Sequence, residues 1–311
     1  MATRYTRAWD RLADGDVLVL DGGVSTELER RGVSMSDGVW SGRAALDAWE
    51  GIVDVHRAYI DVGAQIITAN TYASSRLMLQ SAGLGDQVAE INRRAIEAAL
   101  TARERAGAAD VLVAGSMSHM LPIPTGGYRL RDGDTPAADM MLAAFHELAA
   151  IHEDAGVDLL LLEMMSAPDR MAPMFEAVAD TRLPVWCGQS AARNDDGAIL
   201  SWHDRSVPFA DIVAMAAGHD FDVMGIMHTS ADLIADTLPL IREAHSGPLM
   251  AYPDAGYFEM PHWRFEDTIT PARFAEFARA WREAGVQIIG GCCGLGPEHI
   301  AAIADMAGST R

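Results

Sequence analysis

Cys292 and Cys293 stand side by side in Gly290-Gly291-Cys292-Cys293-Gly294, directly after an apolar run at 286–289. Neighbouring side chains on a strand point to opposite faces. Both thiols can serve one site only if the backbone turns there, and the flanking glycines permit that turn. His228 follows another short apolar run, at 222–226. Two thiolates and an imidazole are donors that Zn²⁺ or a similar ion selects. Three protein ligands would leave the fourth position open, as in catalytic zinc sites. Spacing alone leaves the matter open, because neither Cys-x-x-Cys nor His-Glu-x-x-His is present. Buried thiols with a loop histidine remain the competing explanation.

The third cysteine, Cys187, lies inside an apolar run beside Trp186 and reads as core. His56, His146 and His152 fall within helical patterns and His299 at a helix start, where surface or satisfied packing roles are expected. His119, after the third strand-like run, stays a candidate for contact with substrate or with a ligand residue.

Something must carry these groups to one place. Short apolar runs at 17–20, 65–68, 111–114, 158–162, 184–187, 222–226, 248–251 and 286–289 alternate with helical patterns at 49–61, 87–106, 140–155, 170–179, 231–244 and 271–284. That alternation predicts parallel βα units, and eight of them predict a TIM (β/α)8 barrel in a single domain spanning 1–311. A doubly wound sheet is the rival, but no Gly-rich dinucleotide fingerprint follows the first run. Gly63, Gly156 and Gly285 each stand between a helical pattern and the next run, where a left-handed residue lets the chain leave the helix. Segments around 121–136 and 253–263 read as insertions after the third and seventh strands, at the rim of a barrel mouth.

Composition narrows the function classes. The 311 residues carry 24 Lys plus Arg against 44 Asp plus Glu, a net charge of −20, which opposes binding to nucleic acid or an anionic membrane. Three cysteines, two of them adjacent, cannot make a disulfide framework, which points to a reducing compartment. With no signal-like start and no apolar run long enough to span a bilayer, a cytoplasmic protein acting on small molecules is expected. The oligomeric state stays open, a homo-oligomer included.

In a barrel the active site is built where the strands end. Those ends read Asp21-Gly22-Gly23, Thr68 to Tyr72, Ser116 to His119, Glu163, Gly188-Gln189-Ser190, Met227-His228, Tyr252-Pro253-Asp254 and Cys292-Cys293. Polarity at strand exits accounts for Asn70 and Gln189. It leaves a carboxylate, an imidazole and two thiols converging by coincidence.

With these residues in place, the chain resembles the homocysteine S-methyltransferases, zinc-dependent TIM barrels that move a methyl group onto the sulfur of homocysteine. The resemblance rests on Leu20-Asp21-Gly22-Gly23, Thr26-Glu27-Leu28, Arg31-Gly32, Trp40-Ser41, Val55-His56, Ile67 to Tyr72, Gly156-Val157-Asp158 leading to Glu163, Tyr252-Pro253, and Ile289 to Gly294 with Pro297 and His299-Ile300. It implies that Cys292 and Cys293 bind zinc, that Asp21 and Glu163 receive the substrate amino group, and that the Gly22 and Gly23 backbone approaches its carboxylate. Trp40 and Tyr72 would line the cavity near the transferred methyl. Sulfonium and quaternary ammonium donors suit aromatic faces through cation–π attraction. Zinc would lower the pKa of the incoming thiol and align it with the donor methyl.

The chain departs from the family pattern at the mouth. Where the family has Gly-x-Asn-Cys after strand six, this chain has Gly225-Ile226-Met227-His228, so histidine stands in place of a zinc cysteine. Ser116 to His119 lack the family Gly-Pro, Met164 replaces a usual threonine, and Asp254-Ala255-Gly256 replace Asn-Ser-Gly. Three cysteinates plus a substrate thiolate would leave Zn²⁺ with two net negative charges, whereas two cysteinates, an imidazole and a thiolate leave one. A less negative site should form thiolate more readily but make it a weaker nucleophile. A Cys2His site with slower transfer to homocysteine, or with another acceptor or donor, is therefore expected. A zinc hydrolase using Glu163 or Asp254 as base, a non-catalytic thiol- or metal-binding protein, and a degenerate site without metal are the alternatives.

Overall fold

The computed structural model describes residues 3–35, 39–122, 135–259, 262–266 and 268–306. Eight strands run parallel: β1 (Leu18–Val19), β2 (Ile66–Thr68), β3 (Leu112–Ser118), β4 (Leu159–Met165), β5 (Val185–Gln189), β6 (Val223–Ser230), β7 (Leu249–Asp254) and β8 (Val286–Ile289). Each pairs with its sequence neighbour, and β1 also pairs with β8 through Leu18 opposite Ile288. A parallel bridge between Leu20 and Ile66 joins β1 to β2 and closes the ring. The expected TIM barrel is present.

Alternation along the strands divides two cores. Leu112, Ala114, Leu159, Leu161, Trp186, Val223, Met250 and Ile288 fill the barrel, while Val113, Leu160 and Leu162 join the larger cluster packed against the helices. The helix Arg4–Ala13 lies against the barrel interior's side chains through Tyr5, Ala8 and Trp9, and the Trp186 indole donates to the Tyr5 hydroxyl at 3.0 Å. Helices Trp49–Asp61 and Ala231–Ala244 have the expected bounds. Gly156 closes helix Ala138–Ala155 at φ +84°, and Gly63 and Gly285 also take positive φ, as their positions before strands predict.

Five strands outrun their apolar runs. β3, β4, β5, β6 and β7 continue through polar residues, and Ser116 pairs with Leu161 and Ser118 with Glu163 in register. Hairpin Tyr257–Glu259 with His262–Arg264 lies in the insertion expected after β7. Most of the insertion expected around 121–136 lies outside the described residues. A further hairpin, Ala191–Arg193 with Ile199–Ser201, follows β5 where no insertion was expected. Among the described residues no helix is long and apolar enough to cross a membrane.

Candidate metal centre

The segment after β8 leaves the strand at Gly290 and is clamped by its neighbours. Gly291 N–H donates to Asp21 O at 3.0 Å, Cys292 N–H to Pro253 O at 2.6 Å, and Ala255 N–H to Cys293 O at 2.9 Å. Gly294 follows at φ +80°, where an added Cβ would lie 1.8 Å from Ala255 O. No other residue fits there. With the backbone turned, both thiols face one point: their Sγ atoms are 3.8 Å apart and both residues are buried.

His228, near the end of β6, supplies the third group. Its Nδ1 and Nε2 lie 3.4 and 3.3 Å from Cys292 Sγ, and the three donor atoms all fall within 4.8 Å of one another. A tetrahedral ion with bonds of about 2.3 Å to sulfur and about 2.0 Å to nitrogen separates its sulfurs by about 3.8 Å and sulfur from nitrogen by about 3.5 Å. The Cys292–Cys293 and Cys292–His228 edges match those spacings, and the third donor pair lies within 4.8 Å.

Electrostatics favour an exchangeable proton in this cluster. Burial opposes charge on His228, yet Cys293 and Glu163 raise its pKa to about 10. Hydrogen bonding from Cys292 lowers the Cys293 thiol to about 7 against its burial, with His228 acting in the same sense. Burial and its neighbour push Cys292 upward. The cluster holds an imidazolium beside a thiolate, and a divalent ion would take the place of protons.

A small cavity opens beside these donors, lined by Gly23, Trp40, Thr68, Tyr72, Ser116, Glu163 and Tyr252 among others. Glu163 Oε2 is 3.3 Å from His228 Nε2. The Tyr72 ring lies 5.3 Å from the His228 ring, and its hydroxyl donates to Met164 Sδ at 3.0 Å. Burial, then Glu163 and the two cysteines, push the Tyr72 phenol well up, so it stays neutral. Trp40 meets Phe258 edge-on at 5.8 Å. Trp40, Met164 and His228 have φ of +47°, +60° and +46°, which for residues other than glycine is uncommon. They are the three such residues among those described, so backbone strain is concentrated at the site.

Asp21 and Gly22 stand behind the wall instead of in it. Asp21 accepts from Thr68 N–H at 2.7 Å, Thr68 Oγ1 at 2.9 Å and the Tyr252 hydroxyl at 3.3 Å. Burial pushes its carboxyl up, with the Thr68 bonds opposing. Thr68 and Tyr252, which Asp21 holds, are the groups that face the cavity. Sequence reasoning placed both at strand ends without giving them a role; a polar residue adjoining a recognised motif was the available signal. Ser116 also lines the cavity, buried and with its hydroxyl unpartnered. Asn70 is held by Ser41 and Ser25, as its structural reading expects.

The remaining candidates separate cleanly. Cys187 is fully buried in the core and its thiol is pushed up by burial. Asp254 is absent from the cavity wall. His119 accepts from Ser166 N–H at 3.0 Å and lies outside the wall. His146 is exposed, and both His299 ring nitrogens are bonded. His56 and His152 depart from a satisfied packing role: each is fully buried with neither nitrogen hydrogen-bonded, and the His152 ring lies against Gly115 of β3.

Comparison with known proteins gives a consistent result. The homocysteine S-methyltransferase family profile matches residues 18–307. The homocysteine S-methyltransferase of Escherichia coli is 30% identical over 307 residues, covering 93% of this chain and 94% of that one. The selenocysteine methyltransferase of Astragalus bisulcatus is 26% identical over 319 residues, covering 93% and 92%. The metallated form of the Escherichia coli homocysteine methyltransferase MmuM superposes with a TM-score of 0.76 at 26% identity, covering 97% of this chain and 99% of that structure.

Proposed function

The chain belongs to the homocysteine S-methyltransferase family, and we propose that it is a zinc-dependent S-methyltransferase that carries a methyl group from a sulfonium or quaternary ammonium donor to a thiol such as homocysteine, giving methionine. The observation that supports the zinc reading is the convergence of His228, Cys292 and Cys293: two edges, of 3.8 Å and 3.3–3.4 Å, are those expected around a tetrahedral ion, and all three donors lie within 4.8 Å. Zinc bound there would lower the pKa of a substrate thiol in its open position.

The chain's own residues then have distinct tasks. The faces of Tyr72 and Trp40 hold the donor cation by cation–π attraction. Glu163 accepts the ammonium of an amino-acid acceptor, and Asp21 acts with it by fixing Thr68 and Tyr252 in the wall. The Gly23 backbone lines the cavity and would approach the acceptor carboxylate. The buried setting excludes water, which strengthens each of these contacts.

The test supplies homocysteine with S-methylmethionine, trimethylglycine and S-adenosylmethionine in turn and follows methionine by mass spectrometry, alongside metal content by elemental analysis. Methionine from at least one donor and about one zinc per chain support the reading. No methylated product, or full zinc content in a His228→Ala, Cys292→Ala double variant, defeats it.

A further inference from the structure

Ser116 carries a hydroxyl that is sealed from solvent and makes no hydrogen bond with the described residues. Every other buried serine and threonine among them has a partner. Ser118 donates to Tyr72 O at 2.6 Å, Ser190 to Met227 O at 2.7 Å and Thr71 to the Ser116 carbonyl at 2.9 Å. Ser25 and Ser41 meet at Asn70 Oδ1, and Ser74, Thr229 and Thr237 reach backbone carbonyls. A buried hydroxyl left unpaired costs stability. One that stands in a cavity wall calls for a partner from a ligand.

Strand alternation aims it. Leu112 and Ala114 of β3 fill the barrel, while Val113 and Met117 face the helices, so Ser116 continues the inward row up to the cavity that it lines. The neighbouring strands bring two more wall residues to its sides. Thr68 of β2 is in register with Ala114, and Glu163 of β4 with Ser118, the inward positions just below and just above Ser116. Ser116 therefore stands between Thr68 and Glu163.

Those neighbours decide what kind of group would satisfy it. Thr68 Oγ1 gives its proton to Asp21 Oδ1 at 2.9 Å, and the Tyr252 hydroxyl faces Asp21 Oδ1 and Gly22 O, each at 3.3 Å. Both hydroxyls are left as acceptors, and an ionised Glu163 can only accept. No lysine or arginine is among the wall residues. A wall of acceptors suits a group with several N–H donors, and an ammonium has three.

Resting on the methyltransferase reading above, we propose that Ser116 is a binding residue for the ammonium group of the methyl acceptor, its Oγ taking one N–H beside Glu163. The family resemblance gives that second contact to Asp21. Here the Asp21 carboxylate is turned to Thr68 and Tyr252 and is absent from the wall, and the Ser116 hydroxyl takes its place.

Calorimetry on zinc-loaded wild type and Ser116→Ala tests this with three thiols: homocysteine, 3-aminopropanethiol, which lacks the carboxylate, and 4-mercaptobutyrate, which lacks the amine. Expected in Ser116→Ala is a loss of about tenfold or more for the two amines and less than about twofold for 4-mercaptobutyrate. Ligand-free Ser116→Ala should melt no lower than wild type, because the hydroxyl removed had no partner. In turnover, homocysteine KM should rise more than kcat falls, with donor KM little changed. Equal losses for all three thiols, a loss that follows the carboxylate, unchanged binding of the amines, or a lower melting temperature without ligand would each overturn the assignment. Wild type that binds homocysteine no more tightly than 4-mercaptobutyrate overturns it as well. The expected binding pattern in a protein that methylates no thiol with any donor supports the ammonium site and defeats the methyltransferase reading instead.

Discussion

Nε2 of His228 lies 3.3 Å from both Glu163 Oε2 and Cys292 Sγ, and Nδ1 lies 3.4 Å from the same sulfur. A metal-ligating histidine is commonly oriented by a carboxylate on its other nitrogen. Glu163→Gln keeps the shape but weakens that acceptor, so zinc affinity should fall about 10- to 100-fold. Chelator competition measures it; unchanged affinity would separate Glu163 from the metal centre and leave it to substrate alone.

Restoring a third thiol tests what histidine changes. His228→Cys should still bind zinc, and with one more negative charge at the ion the acid limb of the pH–rate profile should move to higher pH, with a faster plateau. Cobalt substitution should show stronger sulfur-to-metal charge-transfer absorption. A profile that stays in place would mean that the ligand's charge does not tune the acceptor thiol. The left-handed φ of +46° at this position is one that histidine takes more readily than most residues.

Metal binding should displace protons. With His228 raised to about 10 and Cys292 also raised, both are protonated near pH 8, whereas Cys293, lowered to about 7, is mostly thiolate. Zinc uptake at pH 8 should therefore release about two protons, and affinity should rise with pH. Calorimetry in buffers of different ionisation enthalpy counts them. No release would mean that the metal binds elsewhere.

Acid sensitivity should trace to His56 and His152, each lowered to about 3 by burial. Between that value and an unfolded value of about 6.5 the unfolded chain binds more protons. The stability they contribute is thus complete above about pH 6.5 and is lost as pH falls toward 3. At pH 5 the loss should be about 2 kcal/mol per histidine. Denaturant titrations of His56→Leu and His152→Leu should show a flatter pH dependence over this window. Parallel pH curves for wild type and variants would refute the assignment.

Much of the barrel was legible because its interior strands are runs of apolar residues bounded by glycine-ended helices. Legibility stopped where the site begins. The apolar runs place the ends of β3 and β4 too early: Ser116, Ser118 and Glu163 continue the ladders, because backbone pairing does not depend on the polarity of the side chain, and Ser116 and Glu163 face the cavity. The hairpin after β5 carries no such periodic run and went unseen.

The sequence by itself determined the alternation of units, the turn that brings Cys292 and Cys293 together, and the histidine where the family pattern has cysteine, because period, glycine placement and motif order are local properties. Only the tertiary structure decided that His228 meets Cys292 and Glu163 at once and that Asp21 spends its oxygens on Thr68 and Tyr252. Those facts depend on contacts between strands far apart in the chain, and the orientation of a side chain at a strand end is fixed by its neighbours across the barrel, not by its neighbours in sequence.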